Sequence, residues 1–232
     1  NQNQRISRNR LHTKAAVHSQ RTRSTARPGR RARTVPREEQ NAYSPPETWH
    51  EPSNAAGPDY RIVVQPPGEG FQHVVTPEQI RRRLAELPPE MLEPLDVVQL
   101  SGMTRKKSLY PLYGMQWGSA LYLYPIEEGL VEYFPRKPAP AFFNEARMFG
   151  ARWIQEGEEW ECHWTPKSIR NYYLNNILIH ELGHLLDVRN TSYMDRERYA
   201  EWFAIQYGYK PSQRKRLAAK AAKKIVRRHN SA

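Results

Sequence analysis

The stretch Ile177-Leu178-Ile179-His180-Glu181-Leu182-Gly183-His184, with Glu197-Arg198-Tyr199-Ala200-Glu201-Trp202-Phe203-Ala204 a little further on, decides how this chain is read. Two histidines four apart lie on one face of an α-helix, so both imidazoles reach a single metal ion. The carboxyl group of Glu181, beside the first histidine, is then placed to take a proton from water on that metal. Upstream, Thr165-Pro166 is a helix cap followed by a proline at the first helical position, which predicts a long helix from Pro166 to about Val188. Ile169, Tyr173, Ile177, His180 and His184 fall along one stripe of it.

A zinc site of this kind needs a third protein ligand and an open position. An H-E-x-x-H-x-x-G-x-x-H extension is disfavoured, because Asp187 and Asn190 stand where its glycine and last histidine belong. The other common solution puts a glutamate on a following helix. Ser192 and Asp195 form a capping pair three apart, predicting a second helix through Arg196 to Tyr207 that ends at Gly208. Glu197, Glu201 and Ala204 share a face of that helix, and the small Ala200 and Ala204 permit close approach to the histidine helix.

On these residues the chain resembles the gluzincin metallopeptidases, whose signature is H-E-x-x-H followed by a helix bearing E-x-x-A-[D/N/E]-x-F-A, as in the ImmA/IrrE-type proteases. The resemblance covers roughly residues 165–210 and, more loosely, the strand at 118–125; nothing in 1–75 takes part. It implies one Zn²⁺ per chain held by His180, His184 and Glu197, with Glu181 as general base. Glu201 would be the carboxylate that orients a ligand histidine, and it is Glu where those families usually carry Asp or Asn. Plainer readings stand beside these: Glu197 and Glu201 as surface carboxylates paired to Arg196 or Arg198, and Asp187 as a structural residue paired to Arg189. Tyr193, Tyr207, Tyr209 and His163 are candidates to donate a hydrogen bond to an oxyanion, against a default of aromatic packing.

Charge divides the 232 residues into three. Residues 1–37 hold eleven Lys/Arg and residues 210–232 hold nine, neither with any Asp/Glu, which leaves 16 basic against 24 acidic residues in 38–209. The body is acidic and both ends are strongly basic, a polarity that suits contact with nucleic acid or another polyanion. The single cysteine, Cys162, excludes an intrachain disulfide and favours a reducing compartment. With no apolar run of spanning length or signal-peptide type, a cytoplasmic location is expected. The Arg/Ser/Thr-rich, acid-free start also has the composition of an organelle transit peptide, and a chain that begins at Asn1 suggests a missing upstream piece.

Three segments follow: a disordered basic, Pro-rich tail over 1–58, a metallopeptidase-like domain over 59–209, and a basic C-terminal helix or tail over 210–232 with Leu217, Ala221 and Ile225 as a thin apolar stripe. Within the domain, strands are expected at 60–64, 95–100, 118–125 and 130–134, a helix from Thr76 to about Leu87, and a hairpin of 148–154 with 159–164. Strands first and then two site helices make an α+β fold, zincin-like by the resemblance. In it a small mixed or antiparallel sheet packs on the His180–His184 helix and the glutamate helix, and the strand at 119–124 lends its edge to an extended substrate. The expected activity is zinc-dependent endopeptidase hydrolysis of a protein or peptide. The rival is a nucleic-acid-associated binding protein with a structural or inactive zincin body.

Overall fold

A computed structural model describes residue 50, residues 59–103 and residues 113–229. The tail expected over 1–58 lies outside the described residues, apart from His50. The fold is α+β. Its main sheet has four strands in the order β1 (Arg61–Val64), β3 (Val97–Leu100), β5 (Ala120–Leu123), β4 (Gly114–Trp117). The first three are parallel and β4 runs antiparallel to β5. A two-stranded ribbon of β2 (Phe71–Gln72) with β6 (Ile126–Glu127) and an antiparallel sheet of β7 (Val131–Phe134), β9 (Glu159–His163) and β8 (Arg152–Glu156) complete the strands.

The period-two alternation of β-strands divides the main sheet between two cores. Val98, Leu100, Leu121 and Leu123 face the helices within the larger apolar cluster. Val97, Met115, Ala120 and Tyr122 face the other way, in a smaller cluster. On that far side His50 stacks on Tyr122 and sits 2.8 Å from Oε1 of the fully buried Gln99.

Between β1 and β3 runs α1 (Pro77–Leu84), started by the capping box of Thr76 and Gln79. It gives way to turns three residues before the expected Leu87. α2 (Pro140–Met148), with proline at its first position, takes residues that the sequence reading left unassigned. It ends where the Ala151 N–H reaches the Ala146 carbonyl and Gly150 turns to φ +96°. The hairpin therefore begins at Arg152 rather than Met148.

The predicted long helix is continuous from Pro166 to Leu186, but not uniform. α3 (Pro166–Tyr172) and α4 (Leu178–Leu186) are joined by a π-helical stretch, Tyr173–Ile177. The next helix departs further from expectation. α5 (Tyr193–Phe203) passes through a second π-helical stretch, Ala204–Tyr209, straight into α6 (Lys210–His229). Gly208 does not end it. A Cβ at Gly208 would lie 2.0 Å from the Asn175 carbonyl oxygen, so the glycine is there to let two helices cross.

Arg83 of α1 locks that crossing. Its Nε donates to Asn175 Oδ1 at 2.7 Å and its guanidinium also donates to the Tyr207 carbonyl. Pro211 has no N–H to offer that carbonyl at helical spacing, so the arginine supplies a donor the helix lacks. The expectation for the strand at 119–124 needs correcting. β5 is paired on both sides, by β3 and β4, so it has no edge to lend, and among the described residues the edges of this sheet belong to β1 and, next to β5, to β4. Among the described residues no helix is long and apolar enough to cross a membrane.

Gly208→Ala should destabilise the protein by about 1–3 kcal/mol through overpacking. Gly129→Ala, where an added Cβ meets nothing within 4 Å, should stay within about 0.5 kcal/mol of wild type. Urea denaturation of both variants checks this.

Candidate metal centre

α4 packs across β4 and β5 on one side and against α5 on the other. The contact with α5 is a backbone approach. A Cβ at Gly183 would come within 3.0 Å of Ala200 Cα and of Phe203 Cβ. Glu197, one turn before Ala200, is thereby carried to the histidines.

His180 Nε2 and His184 Nε2 are 3.1 Å apart, with their rings nearly perpendicular at 82°. Glu197 Oε2 lies 3.5 Å from His180 Nε2, and Glu197 Oε1 lies 3.4 Å from His184 Nε2. All three residues are buried and their ligand atoms fall within 4.8 Å of one another. The donor set fits a metal ion: two imidazole nitrogens turned toward each other and a carboxylate closing the third side is an arrangement that a cation stabilises. Burial pushes the Glu197 carboxyl up. Hydrogen bonds to His180 and His184 and their charges outweigh it and hold the group at about 2, so Glu197 is an anion.

Glu181 is fully buried beside the pair. A Cβ at Gly114 would stand 2.9 Å from Glu181 Cγ and Oε1, and 2.6 Å from Ile177. The first residue of β4 is therefore pressed directly onto the carboxylate next to the three candidate ligands. Glu201 Oε1 is 4.0 Å from Nδ1 of His180, outside hydrogen-bond reach, and its side chain is 46 % exposed.

Of the four oxyanion candidates, the structure brings Tyr193 to the site. Burial and the neighbouring charges of Glu197 and Glu181 raise its phenol to about 12, so it is a proton-bearing donor. The others are elsewhere: Tyr207 packs on Phe203, Tyr209 on Phe149, and His163 lies 2.6 Å from Glu161. Asp187 is structural. It accepts from the Arg189 and Asn190 backbone and from the Asn190 side chain, and shapes the turn after α4.

Two participants were missed in the sequence. Arg196 pairs with neither glutamate; its Nη1 and Nη2 donate to the carbonyls of Asp187 and His184 at 3.1 and 3.0 Å. It thus ties the C-terminal end of α4 to α5 and completes carbonyls that the helix leaves open. Its position just before Glu197 was the available signal. Gly114 carried no sequence signal, because its contact with Glu181 depends on tertiary register. Arg198 pairs with Asp195 at 3.3 Å, on the surface.

Comparison with known proteins returns no matching family model, no matching curated protein and no matching solved structure.

Arg196→Ala should loosen the α4–α5 junction and weaken metal affinity about tenfold or more. Arg198→Ala, which removes a surface pair with Asp195, should leave it unchanged. Competition of each apoprotein against a zinc-responsive dye measures both.

Proposed function

We propose that this protein is a zinc-dependent endopeptidase of gluzincin type on a zincin-like scaffold, with His180, His184 and Glu197 as ligands. One observation carries the proposal: a buried His₂Glu donor set lies beside a buried carboxylate, Glu181, which is itself pressed against a sheet-edge strand. His₂Glu suits zinc among common cations, since imidazole and carboxylate together match its preferred tetrahedral set with one position left open. Zinc held by these residues would supply Lewis acidity and lower the pKa of a water bound to it.

The remaining work falls to the chain. Glu181 accepts the proton of the attacking water and hands it to the leaving amide nitrogen, so one carboxylate serves as base and then acid. Tyr193 keeps its proton to well above neutral pH, which suits it to donate to the oxygen of the carbonyl under attack. The Glu201 carboxyl lies 4.0 Å from His180 Nδ1, on the side away from Nε2, and a small side-chain shift would let it hold the ring in the orientation that presents Nε2 to the ion. A substrate peptide added in extended form along β4 would bring its main chain past Gly114, where no side chain separates it from Glu181. Main-chain pairing of that kind fixes direction while reading little sequence.

Elemental analysis of purified wild type should find about one zinc per chain, lost in His180→Ala and in Glu197→Ala. Glu181→Gln should keep the metal yet lose turnover of an unfolded protein substrate by at least ~10²-fold. Tyr193→Phe should also keep the metal and fall about 10²-fold in kcat. Full activity in Glu181→Gln would sink the mechanism, and no zinc in reconstituted wild type would sink the site.

A further inference from the structure

Glu132 is a buried carboxyl group that the proposed reaction does not use. Along β7 the side chains alternate: Tyr133 is exposed, while Glu132 and Phe134 are buried on the core side. Glu132 is only 2 % exposed, and its register partner on β9 is the buried Cys162. Both of its oxygens are hydrogen-bonded. Oε1 accepts from the Tyr113 hydroxyl at 2.6 Å, and Oε2 accepts from the Trp164 indole N–H at 2.8 Å. Burial and the neighbouring Glu132 charge raise the Tyr113 phenol well above its ordinary value, so it keeps a proton to give. A carboxyl group costs free energy to place in a core, and an apolar side chain of similar volume often serves stability as well or better. Packing alone therefore does not account for Glu132, and its use is to be sought in what it holds.

Tyr113 is the residue immediately before β4. Its ring packs edge-on against Tyr172 and Tyr173. Its carbonyl accepts from the Tyr124 N–H at 3.0 Å, which carries the pairing of β4 and β5 one step past Gly114. The next residue, Gly114, is the one whose backbone closes on Glu181 and Ile177. Successive Cα atoms are about 3.8 Å apart across a trans peptide. No flexible segment intervenes, so a shift of the Tyr113 anchor is a shift of the wall beside Glu181. The neighbouring bond from the Tyr172 hydroxyl to Glu145 Oε1, also 2.6 Å, has the same chemistry but joins α3 to α2 rather than to β4.

We propose that Glu132 is a positioning residue for the candidate metal centre. Through the Tyr113 hydroxyl it fixes the start of β4, and so the place of the Glu181 carboxylate and of the strand edge beside it. The sheet of β7, β9 and β8 thereby braces the site from across the core. The effect on turnover rests on the peptidase reading; the effect on β4 does not.

The test removes both partners together, because stripping one of them alone adds the cost of an unsatisfied buried group. Tyr113→Phe/Glu132→Leu replaces both by apolar side chains and should keep the wild-type circular dichroism and metal content. Amide hydrogen exchange of the full chain as purified should then accelerate about tenfold or more at Gly114–Trp117, while β1 and β3 keep their protection. Turnover of an unfolded protein substrate should fall about tenfold or more in kcat, with zinc affinity unchanged. Tyr113→Phe alone should give the same change in β4. Tyr172→Phe, which breaks the neighbouring hydroxyl–carboxyl bond, should leave both the exchange of β4 and kcat near wild type. Wild-type exchange at Gly114–Trp117 in both Tyr113 variants would overturn the proposal. So would an equal acceleration there in Tyr172→Phe, which would make the effect a general loosening of the core. The expected exchange pattern in a chain without peptidase activity would uphold the anchoring of β4 and sink the peptidase reading alone.

Discussion

The contact between Gly183 and Ala200 is the constraint on which the candidate centre depends. At that point the α4 backbone meets the Ala200 backbone and the Phe203 side chain, and a Cβ on Gly183 would already be 3.0 Å from both. Glu197 reaches the two histidines only because the helices are that close. A carboxylate on a shorter or more distant arm would leave two imidazoles facing each other across a gap. Arg196 holds the same junction from its polar side by bonding the last carbonyls of α4. The second crossing, of Gly208 directly over the Asn175 backbone, is tied by Arg83, which bonds Asn175 on one helix and the Tyr207 carbonyl on the other. Two close contacts along one pair of helices determine their register as well as their separation.

Both helices carry a π-helical stretch, and the two stretches pack on each other. A π stretch shifts the face that later residues present and is found mostly at functional sites. Here the shift lies immediately before the His180–His184 segment and immediately after Glu201. It gives a physical use to an irregularity that would otherwise weaken both helices. The site it serves is costly for an apoprotein: two imidazoles and an ionised carboxylate are held out of water against their desolvation. A cation bound there would return that cost, and metal binding would then contribute directly to folding.

What was legible in the sequence was local. The Thr76 and Thr165 caps, the Ser192–Asp195 pair and the stripe from Ile169 to His184 need only neighbouring residues to be read, and each element begins where its cap stands. The grouping of His180, His184 and Glu197 was legible because a four-residue spacing and a following glutamate helix leave few other arrangements. What was not legible was long-range. Gly208 looks like a helix end until Asn175 is seen across from it, and Met148 looks like a strand start until the Pro140 helix is seen to end there. The strand at 120–123 has the composition of a binding edge as much as of a sheet centre, and only the pairing of β4 outside it decides between them. Gly114-Met115-Gln116-Trp117 is too short and mixed to announce itself as the edge.

Charge along the chain follows the same helical line. Residues 38–209 carry eight more acidic than basic residues, whereas 210–232 are basic without exception among their charged groups. Any polyanion would therefore be repelled by the net charge of the body and attracted at the ends. α5 and α6 form one uninterrupted helix, with Glu197 at one end and the cationic segment at the other. Arg83 and the Lys215–Glu86 pair fix that helix to α1 near its middle. The base of α6 is therefore braced against α1, at the point where the helix leaves the domain. The helix joins the two ends in space while keeping their chemistry independent.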